Sequence, residues 1–265
     1  MKIAIAGKGG VGKTTLAATL ARLLGRTGLK VLAVDADPAM NLAVALGIPP
    51  ATTRTIVPIS DNPDLIEERT GARLGETSGA VFNLTPRVED IASKFGVAAM
   101  DNTSLLVLGT VKSAGSGCLC PANALLRALL RHLMLQRNEA IVMDMEAGLE
   151  HLGRGVIRGV DALLVVLEPR PFSVQVYERI IALAEQLGVQ ATMAVGNKIA
   201  GARDEEFLNH ELEALGQKLA AIMPYDPRLV EAEMSGRALL EFAPDAPSVK
   251  AIDDLKHMLI RDFAR

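Results

Sequence analysis

The chain has 265 residues, with 28 lysine and arginine residues against 31 aspartate and glutamate residues, and a formal net charge of −3. This balance argues against broad nucleic-acid affinity, which requires a strongly basic surface. No stretch reaches the roughly 18 uncharged apolar residues that a membrane span needs. We therefore expect a protein that binds neither nucleic acid nor a membrane.

Composition also indicates the kind of core. Hydrophobic residues make up 49% of the chain, only 3% of residues are aromatic, and tryptophan is absent. Apolar runs of Ala, Val, Ile and Leu suit a parallel sheet that is covered on both faces. The length fits one α/β domain over residues 1–265. An apolar strand pattern starts at residue 2, which leaves no room for a signal peptide, so we expect a cytoplasmic protein.

The first predicted strand, residues 2–6, runs directly into the sequence Gly7-Lys8-Gly9-Gly10-Val11-Gly12-Lys13-Thr14-Thr15. A predicted helix over residues 14–25 follows. The pattern G-x-x-x-x-G-K-[ST] at a strand-to-helix junction predicts a loop whose backbone N–H groups surround the phosphates of a nucleotide. We expect residues 9–15 to bind ATP, with Lys13 at the β- and γ-phosphates and the Thr14 hydroxyl on Mg²⁺.

The second lysine of this loop, Lys8, is not needed by an ordinary phosphate loop. The run from Lys8 to Thr15 resembles the deviant loop of the MinD/ParA group of ATPases. The resemblance implies that Lys8 crosses the interface of a homodimer and contacts the nucleotide of the partner subunit. A cation supplied in this way stabilises charge on the transferred phosphoryl group, so activity would depend on dimerisation.

Carboxylates end two further predicted strands. Asp35-Ala36-Asp37-Pro38 follows a strand over residues 30–35, and Asp144 ends a strand over residues 139–144. In the resembled group, Asp37 positions the attacking water, Asp35 lies nearer the metal, and Asp144 is the Walker-B aspartate on the Mg²⁺ side. The backbone of Gly148 would then sense the γ-phosphate as part of a second switch.

Residues 50–103 show weak periodicity, and we expect short helices there with a hairpin around residues 81–99. The clearer elements beyond are strands over residues 104–109, 162–167 and 190–196 and helices over residues 121–137 and 173–187. This alternation predicts an α/β fold, a P-loop NTPase of the MinD-like type with a mostly parallel sheet and helices on both faces. Residues 248–263 form an amphipathic helix whose balanced charge favours docking on the domain over membrane targeting.

Asn197-Lys198 follows the strand over residues 190–196 and is similar to the start of the guanine-reading motif N-K-x-D. The fourth position is Ala200, so the carboxylate that would recognise guanine is missing. We therefore expect adenine. The resemblance implies that Asn197 and Pro224 flank the base.

The chain has two cysteines, and both lie in one Cys118-Leu119-Cys120 segment. Alternate residues of an extended segment project to the same face, so the two thiols converge. Pro121 suits the first position of the following helix, whose N-terminus favours thiolates. Two sulfurs are too few for a closed metal site, but a twofold dimer supplies four. The alternative is a pair of small apolar residues in a loop.

These motifs, together with Val142-Met143-Asp144-Met145-Glu146-Ala147-Gly148-Leu149-Glu150-His151-Leu152, resemble the CooC/AcsF family of nickel-insertion ATPases. The resemblance implies that Cys118 and Cys120 hold nickel across a dimer, and that the client is apo carbon monoxide dehydrogenase or acetyl-CoA synthase. Four thiolates also bind Zn²⁺, so the ligands leave the metal open.

The alternatives are a MinD/ParA-like positioning ATPase and an iron–sulfur carrier or reductase. In the nitrogenase iron protein the two cysteines of each chain lie far apart in the sequence, and Mrp-type scaffolds carry a C-x-x-C motif nearer the C-terminus. This sequence has neither pattern.

Overall fold

The computed structural model describes residues 1–37, 39–72, 82–109, 121–136, 140–145 and 159–263. Within this part of the chain, one sheet of eight strands has the order β3-β4-β2-β5-β1-β6-β7-β8. All neighbouring strands are parallel except β3 and β4. The strands are β1 (Lys2–Gly7), β2 (Val31–Ala36), β3 (Val97–Ala98), β4 (Thr103–Val107), β5 (Ala140–Met145), β6 (Ala162–Leu167), β7 (Thr192–Ile199) and β8 (Leu219–Pro224).

Helices connect the strands and cover both faces of the sheet. They are α1 (Lys13–Gly25), α2 (Leu42–Ala45), α3 (Pro50–Thr53), α4 (Pro63–Thr70), α5 (Ile91–Phe95), α6 (Pro121–Gln136), α7 (Pro171–Leu187), α8 (Ala202–Ala214), α9 (Pro227–Met234), α10 (Leu239–Phe242) and α11 (Pro247–Phe263). A short 3-10 turn, Ile59–Asp61, lies between α3 and α4.

Side chains of β1 alternate between two aliphatic cores. Ile3 and Ile5 pack on one face of the sheet with residues of α1 and α11. Ala4 and Ala6 pack on the other face with residues of α6, α7 and α8. Because β1 is buried on both faces, its sequence is apolar without a polar alternation, as expected of a central parallel strand. The strand order places the end of β1, and the loop that follows it, near the middle of the sheet, between β5 and β6.

Helix α11 docks on the domain, as its charge pattern predicts. Its buried residues include Val249, Ile252, Leu255 and Leu259, which belong to the same core as α1. Within the described residues, none of the helices combines the length and apolar character needed to cross a membrane.

The expected hairpin around residues 81–99 is wrong in position. Residues Ile91–Phe95 form α5, and the antiparallel pair consists of β3 and β4. The turn between them contains Asp101 and Asn102, with φ of 57° and 54°. Aspartate and asparagine adopt this left-handed conformation more readily than other non-glycine residues, which favours a turn there. β8 and α8 were not among the predicted elements, and the stretch that forms α8 is rich in charge.

A buried ion-pair cluster fixes this turn to α1. Arg22 is 1% exposed, its Nε donates to Asp101 Oδ2 at 2.7 Å, and one terminal nitrogen donates to Glu241 Oε1 at 2.9 Å. The same nitrogen lies 3.4 Å from the carbonyl oxygen of Leu46. Arg22 therefore connects α1 to the β3–β4 turn, to α10 and to the end of α2.

We predict that Arg22→Met lowers the free energy of unfolding by about 2–4 kcal/mol, since it leaves two carboxylates without their buried cation. Urea-induced unfolding measures this loss. The control is Lys250→Met, because Lys250 forms an exposed pair with Asp254 on α11, and we expect it to change stability by less than about 0.5 kcal/mol. Equal effects of the two substitutions would contradict a structural role for the cluster.

Candidate nucleotide-binding site

The phosphate loop begins where β1 ends, and its glycines at both ends are required by close contacts. Gly7 and Gly12 have φ of 145° and 98°. A Cβ on Gly7 would collide with the backbone oxygen of Val166, and one on Gly12 would collide with the side-chain amide of Asn197. Any larger residue would therefore displace the loop from the neighbouring strands β6 and β7.

Helix α1 begins at Lys13, so its N-terminus faces the inside of the loop. The Lys13 side chain is buried, and its Nζ lies 3.3 Å from the carbonyl oxygen of Lys8, across the loop. The backbone N–H groups and the positive end of the helix dipole favour an anion at this place. Lys13 adds a full positive charge.

Two aspartates lie side by side on adjacent strands, because the register of β2 and β5 pairs Asp35 with Asp144. Both are almost completely buried. Burial raises the pKa of Asp35 to about 7, and the nearby charge of Asp144 adds to this rise. Burial also raises the pKa of Asp144 to about 6, against the opposing effects of Thr14 and Lys13.

The two aspartates nevertheless differ in what they hold. Asp35 accepts hydrogen bonds from the backbone N–H groups of Asp37 and Leu42, both at 3.1 Å, so it shapes the segment after β2. Asp144 Oδ2 accepts a hydrogen bond from the Thr14 hydroxyl at 2.6 Å. Its other oxygen, Oδ1, is buried and has no hydrogen-bond partner within the described residues.

This arrangement fits a magnesium ion. Mg²⁺ prefers hard oxygen ligands and is commonly held by a loop Ser/Thr and a Walker-B carboxylate. Thr14 and Asp144 present these groups next to each other, and the unpartnered carboxylate oxygen supplies a buried negative charge that a cation would compensate. The predicted ligand Thr14 is therefore in a suitable place.

A cavity of about 510 Å³ opens in front of the loop. Asp37 lines this cavity, and its Oδ1 accepts a hydrogen bond from the N–H of Ala39 at 2.8 Å. The other lining residues come from the loop, α1, the segment around α2, α9 and the start of α10: Gly9, Gly10, Gly12, Lys13, Thr14, Thr15, Thr19, Ala39, Asn41, Val44, Ala45, Leu229, Ala232, Glu233, Arg237 and Leu239.

Lys8 does not line this cavity, although Gly9 and Gly10 do. Its Nζ lies over the ring of Phe172, 4.8 Å from the ring centre. Phe172 is the second residue of α7 and is 58% exposed. The Lys8 ammonium thus lies against α7 and not in the cavity.

The two residues expected to flank the base lie at strand ends. Asn197 is buried in β7, and its Nδ2 donates to the carbonyl oxygen of Val11 at 2.7 Å. Pro224 ends β8, and its carbonyl oxygen accepts from the Ser248 hydroxyl at 3.0 Å. Both residues belong to the described part of the chain, and neither lines the cavity.

Three predicted site residues, Cys118, Cys120 and Gly148, lie outside the described residues. Helix α6 does begin at Pro121, as predicted. The described residues contain no cluster of three or more side chains suited to hold a metal ion.

Sequence reasoning missed the contribution of α9 to the cavity and the role of Lys198. Leu229, Ala232 and Glu233 line the cavity only because α9 packs beside it, and no motif marks them. Lys198 follows Asn197 in the sequence, but this pair is similar to a motif for base recognition and does not indicate a contact with the phosphate loop. In the structure its Nζ donates to the carbonyl oxygen of Gly10 at 2.8 Å and pairs with Glu168.

Residues 2–240 match the family described as the CobQ/CobB/MinD/ParA nucleotide binding domain. The chain belongs to this family. An uncharacterized ATP-binding protein of Methanocaldococcus jannaschii is 43% identical over 262 residues, which cover 98% of each chain. The carbon monoxide dehydrogenase accessory protein CooC of Rhodospirillum rubrum is 43% identical over 244 residues, covering 92% of this chain and 91% of CooC.

Solved structures show the same fold. A chain of the MinC:MinD cell division complex of Aquifex aeolicus has a TM-score of 0.71 at 23% identity, covering 98% of this chain and 95% of that chain. MinD of Pyrococcus horikoshii, solved with Mg-ADP, has a TM-score of 0.69 at 20% identity, covering 97% and 94%. The predicted fold class is confirmed, and the family assignment confirms the predicted ATPase.

We predict that, in metal-free protein, Asp144→Asn is more stable than the wild type at pH 8 by about 1–3 kcal/mol, and that this advantage disappears near pH 4. The folded-state pKa of Asp144 is raised to about 6 from 3.8, so the wild type loses stability as the pH rises between these values. The uncharged asparagine avoids this loss.

Urea unfolding in the presence of EDTA at several pH values measures the difference. The control is Asp254→Asn, which removes an exposed carboxylate from α11. An advantage of Asp144→Asn that is independent of pH would show that the Asp144 carboxyl has an ordinary pKa in the folded protein.

Proposed function

We propose that the protein is an ATP-dependent nickel metallochaperone that supplies nickel to carbon monoxide dehydrogenase or acetyl-CoA synthase and works as a homodimer. The observation that carries the proposal is the single Cys118-Leu119-Cys120 segment, which contains both cysteines of the chain. The 43% identity to a carbon monoxide dehydrogenase accessory protein supports this client class.

The nucleotide part of the proposal follows from the described site. The loop from Gly9 to Thr15 would hold the phosphates of ATP, with Lys13 balancing their charge. Thr14 and Asp144 would hold Mg²⁺, which neutralises charge on the phosphate oxygens when it is bound. Asp37 lines the same cavity and would orient the attacking water.

The base would be adenine, because Ala200 replaces the carboxylate that recognises guanine. Asn197 donates one amide hydrogen to the loop and retains a second for a contact with the base. We propose Asn197 and Pro224 as flanking residues of the adenine.

The second lysine supports a dimer. Since Lys8 does not line its own cavity, its ammonium would be available to the nucleotide of a partner subunit. The same association would bring two Cys118 and Cys120 pairs together into a four-sulfur site, which suits Ni²⁺ or Zn²⁺ as cargo. ATP binding and hydrolysis would then change the geometry of the metal site through the dimer.

We predict that Lys13→Ala abolishes ATP hydrolysis. Asp37→Ala should retain ATP binding while turnover falls about 10²- to 10⁴-fold, because the water loses its positioning carboxylate. Phosphate release and binding of a fluorescent ATP analogue separate the two steps. Lys250→Ala, on the exposed face of α11, is the control. Comparable hydrolysis of GTP and ATP by the wild type would refute the adenine assignment.

We predict that one divalent metal ion binds per two chains, with nickel and zinc competing for the same four thiolates. Changing both Cys118 and Cys120 to alanine should remove this binding while ATP binding is retained. Affinity should fall as the pH falls through the thiol pKa, because only thiolates bind the metal. Equilibrium dialysis with nickel measures both the affinity and the number of ions.

One metal ion per single chain, or normal nickel binding by the cysteine variant, would refute the shared site. If the wild type purifies without metal and binds lipid or DNA with ATP, the positioning ATPase becomes the better assignment. Iron–sulfur absorbance would instead favour a carrier or reductase.

A further inference from the structure

The outside of the phosphate loop is held by a charged side-chain bridge from the next strands. Lys198, near the end of β7, donates from Nζ to the carbonyl oxygen of Gly10 at 2.8 Å. The same Nζ forms an ion pair of 2.5 Å with Glu168, just after β6. The Glu168 side chain is only 13% exposed, so this pair is partly shielded from water.

The preceding residue holds the next peptide of the loop. Asn197 Nδ2 donates to the carbonyl oxygen of Val11 at 2.7 Å, and Asn197 Oδ1 accepts from the N–H of Lys198 at 2.8 Å. Two consecutive residues of β7 therefore bind two consecutive carbonyl groups of the loop.

The middle of the loop has little else to keep it in place. Gly9 and Gly10 are exposed, and a Cβ built on either residue would have no atom within 4 Å. Glycine in such an open position has high conformational entropy, which must be lost when phosphates bind. Lys198 itself has φ of 59°, a backbone conformation that lysine adopts only where its surroundings impose it.

We propose that Lys198 and Glu168 are positioning residues that set the peptides of the phosphate loop before nucleotide binds. The C=O and N–H groups of a trans peptide point in opposite directions. Holding the Gly10 and Val11 oxygens on the outside therefore directs the N–H groups of Val11 and Gly12 towards the inside. The Val11 N–H makes a long contact of 3.4 Å with the carbonyl oxygen of Lys8, which a phosphate oxygen can replace.

Neither residue needs to touch the reacting atoms, so the bridge acts on binding. The bridge positions N–H groups that would bind the phosphates of ADP and ATP alike, so the affinities of both nucleotides should depend on the bridge. The rate of turnover at saturating ATP should not depend on the bridge. This inference rests on the proposed function, because it assumes that the loop binds ATP.

The experiment compares Lys198→Met, Lys198→Arg and Glu168→Gln with the wild type and with Lys250→Met, which removes a lysine from an exposed pair on α11. Binding of ATP and ADP, kcat at saturating ATP and the melting temperature of nucleotide-free protein are measured. We expect Lys198→Met and Glu168→Gln to raise the Kd of both nucleotides about three- to tenfold. The melting temperature should remain close to that of the wild type and kcat within about twofold.

Lys198→Arg should recover most of the affinity, since it restores a cation that can donate to both oxygens. The double variant Lys198→Met with Glu168→Gln should bind ATP and ADP no more weakly than either single variant, because the two substitutions break the same bridge. Wild-type affinity in both single variants, or no recovery by arginine, would overturn the positioning role alone. Absence of ATP binding by the wild type would overturn the proposed function, and the positioning role with it.

Discussion

The hydrogen bond between the Thr14 hydroxyl and Asp144 joins the first turn of α1 to the neighbouring strand β5. A hydroxyl can donate to this carboxylate only if the loop before α1 turns tightly, which its glycines permit. It also requires β1 and β5 to be adjacent, which the strand order provides. The rest of the site is arranged around this bond, since it determines where the phosphate loop lies relative to the acidic strand ends.

The charges of the site are unevenly compensated. Two neighbouring aspartates lie in an aliphatic core, and burial raises the pKa of each. Asp35 is stabilised by backbone N–H groups, whereas one oxygen of Asp144 has no partner in the described part of the chain. The protein therefore carries the cost of a buried negative charge at the place where a cation would remove it. Such local instability is common at binding sites, because the ligand supplies the missing interaction.

Much of this arrangement can be predicted from the sequence, and the reasons are specific. The loop from Gly7 to Thr15 depends on local glycine chemistry, and β1 depends on a continuous apolar run, so both follow from residues that are close together. The position of the β3–β4 hairpin could not be predicted, because its first strand has only two residues and shows no periodicity. The contacts of Lys198 could not be predicted, since they depend on how β6, β7 and the loop are placed next to one another.

The close contact between Gly12 and Asn197 has a consequence for the variation of this sequence. The two residues are far apart in the chain, yet the asparagine amide occupies the space that a side chain at position 12 would need. A side chain at position 12 and the amide group of Asn197 would therefore occupy the same volume. Alanine at position 12 would also have to adopt a φ of 98°, which L side chains rarely adopt, so a smaller residue at position 197 relieves the collision but not the backbone strain, and it gives up the hydrogen bond to Val11. Among related sequences, position 12 should therefore remain glycine even where position 197 holds a smaller residue.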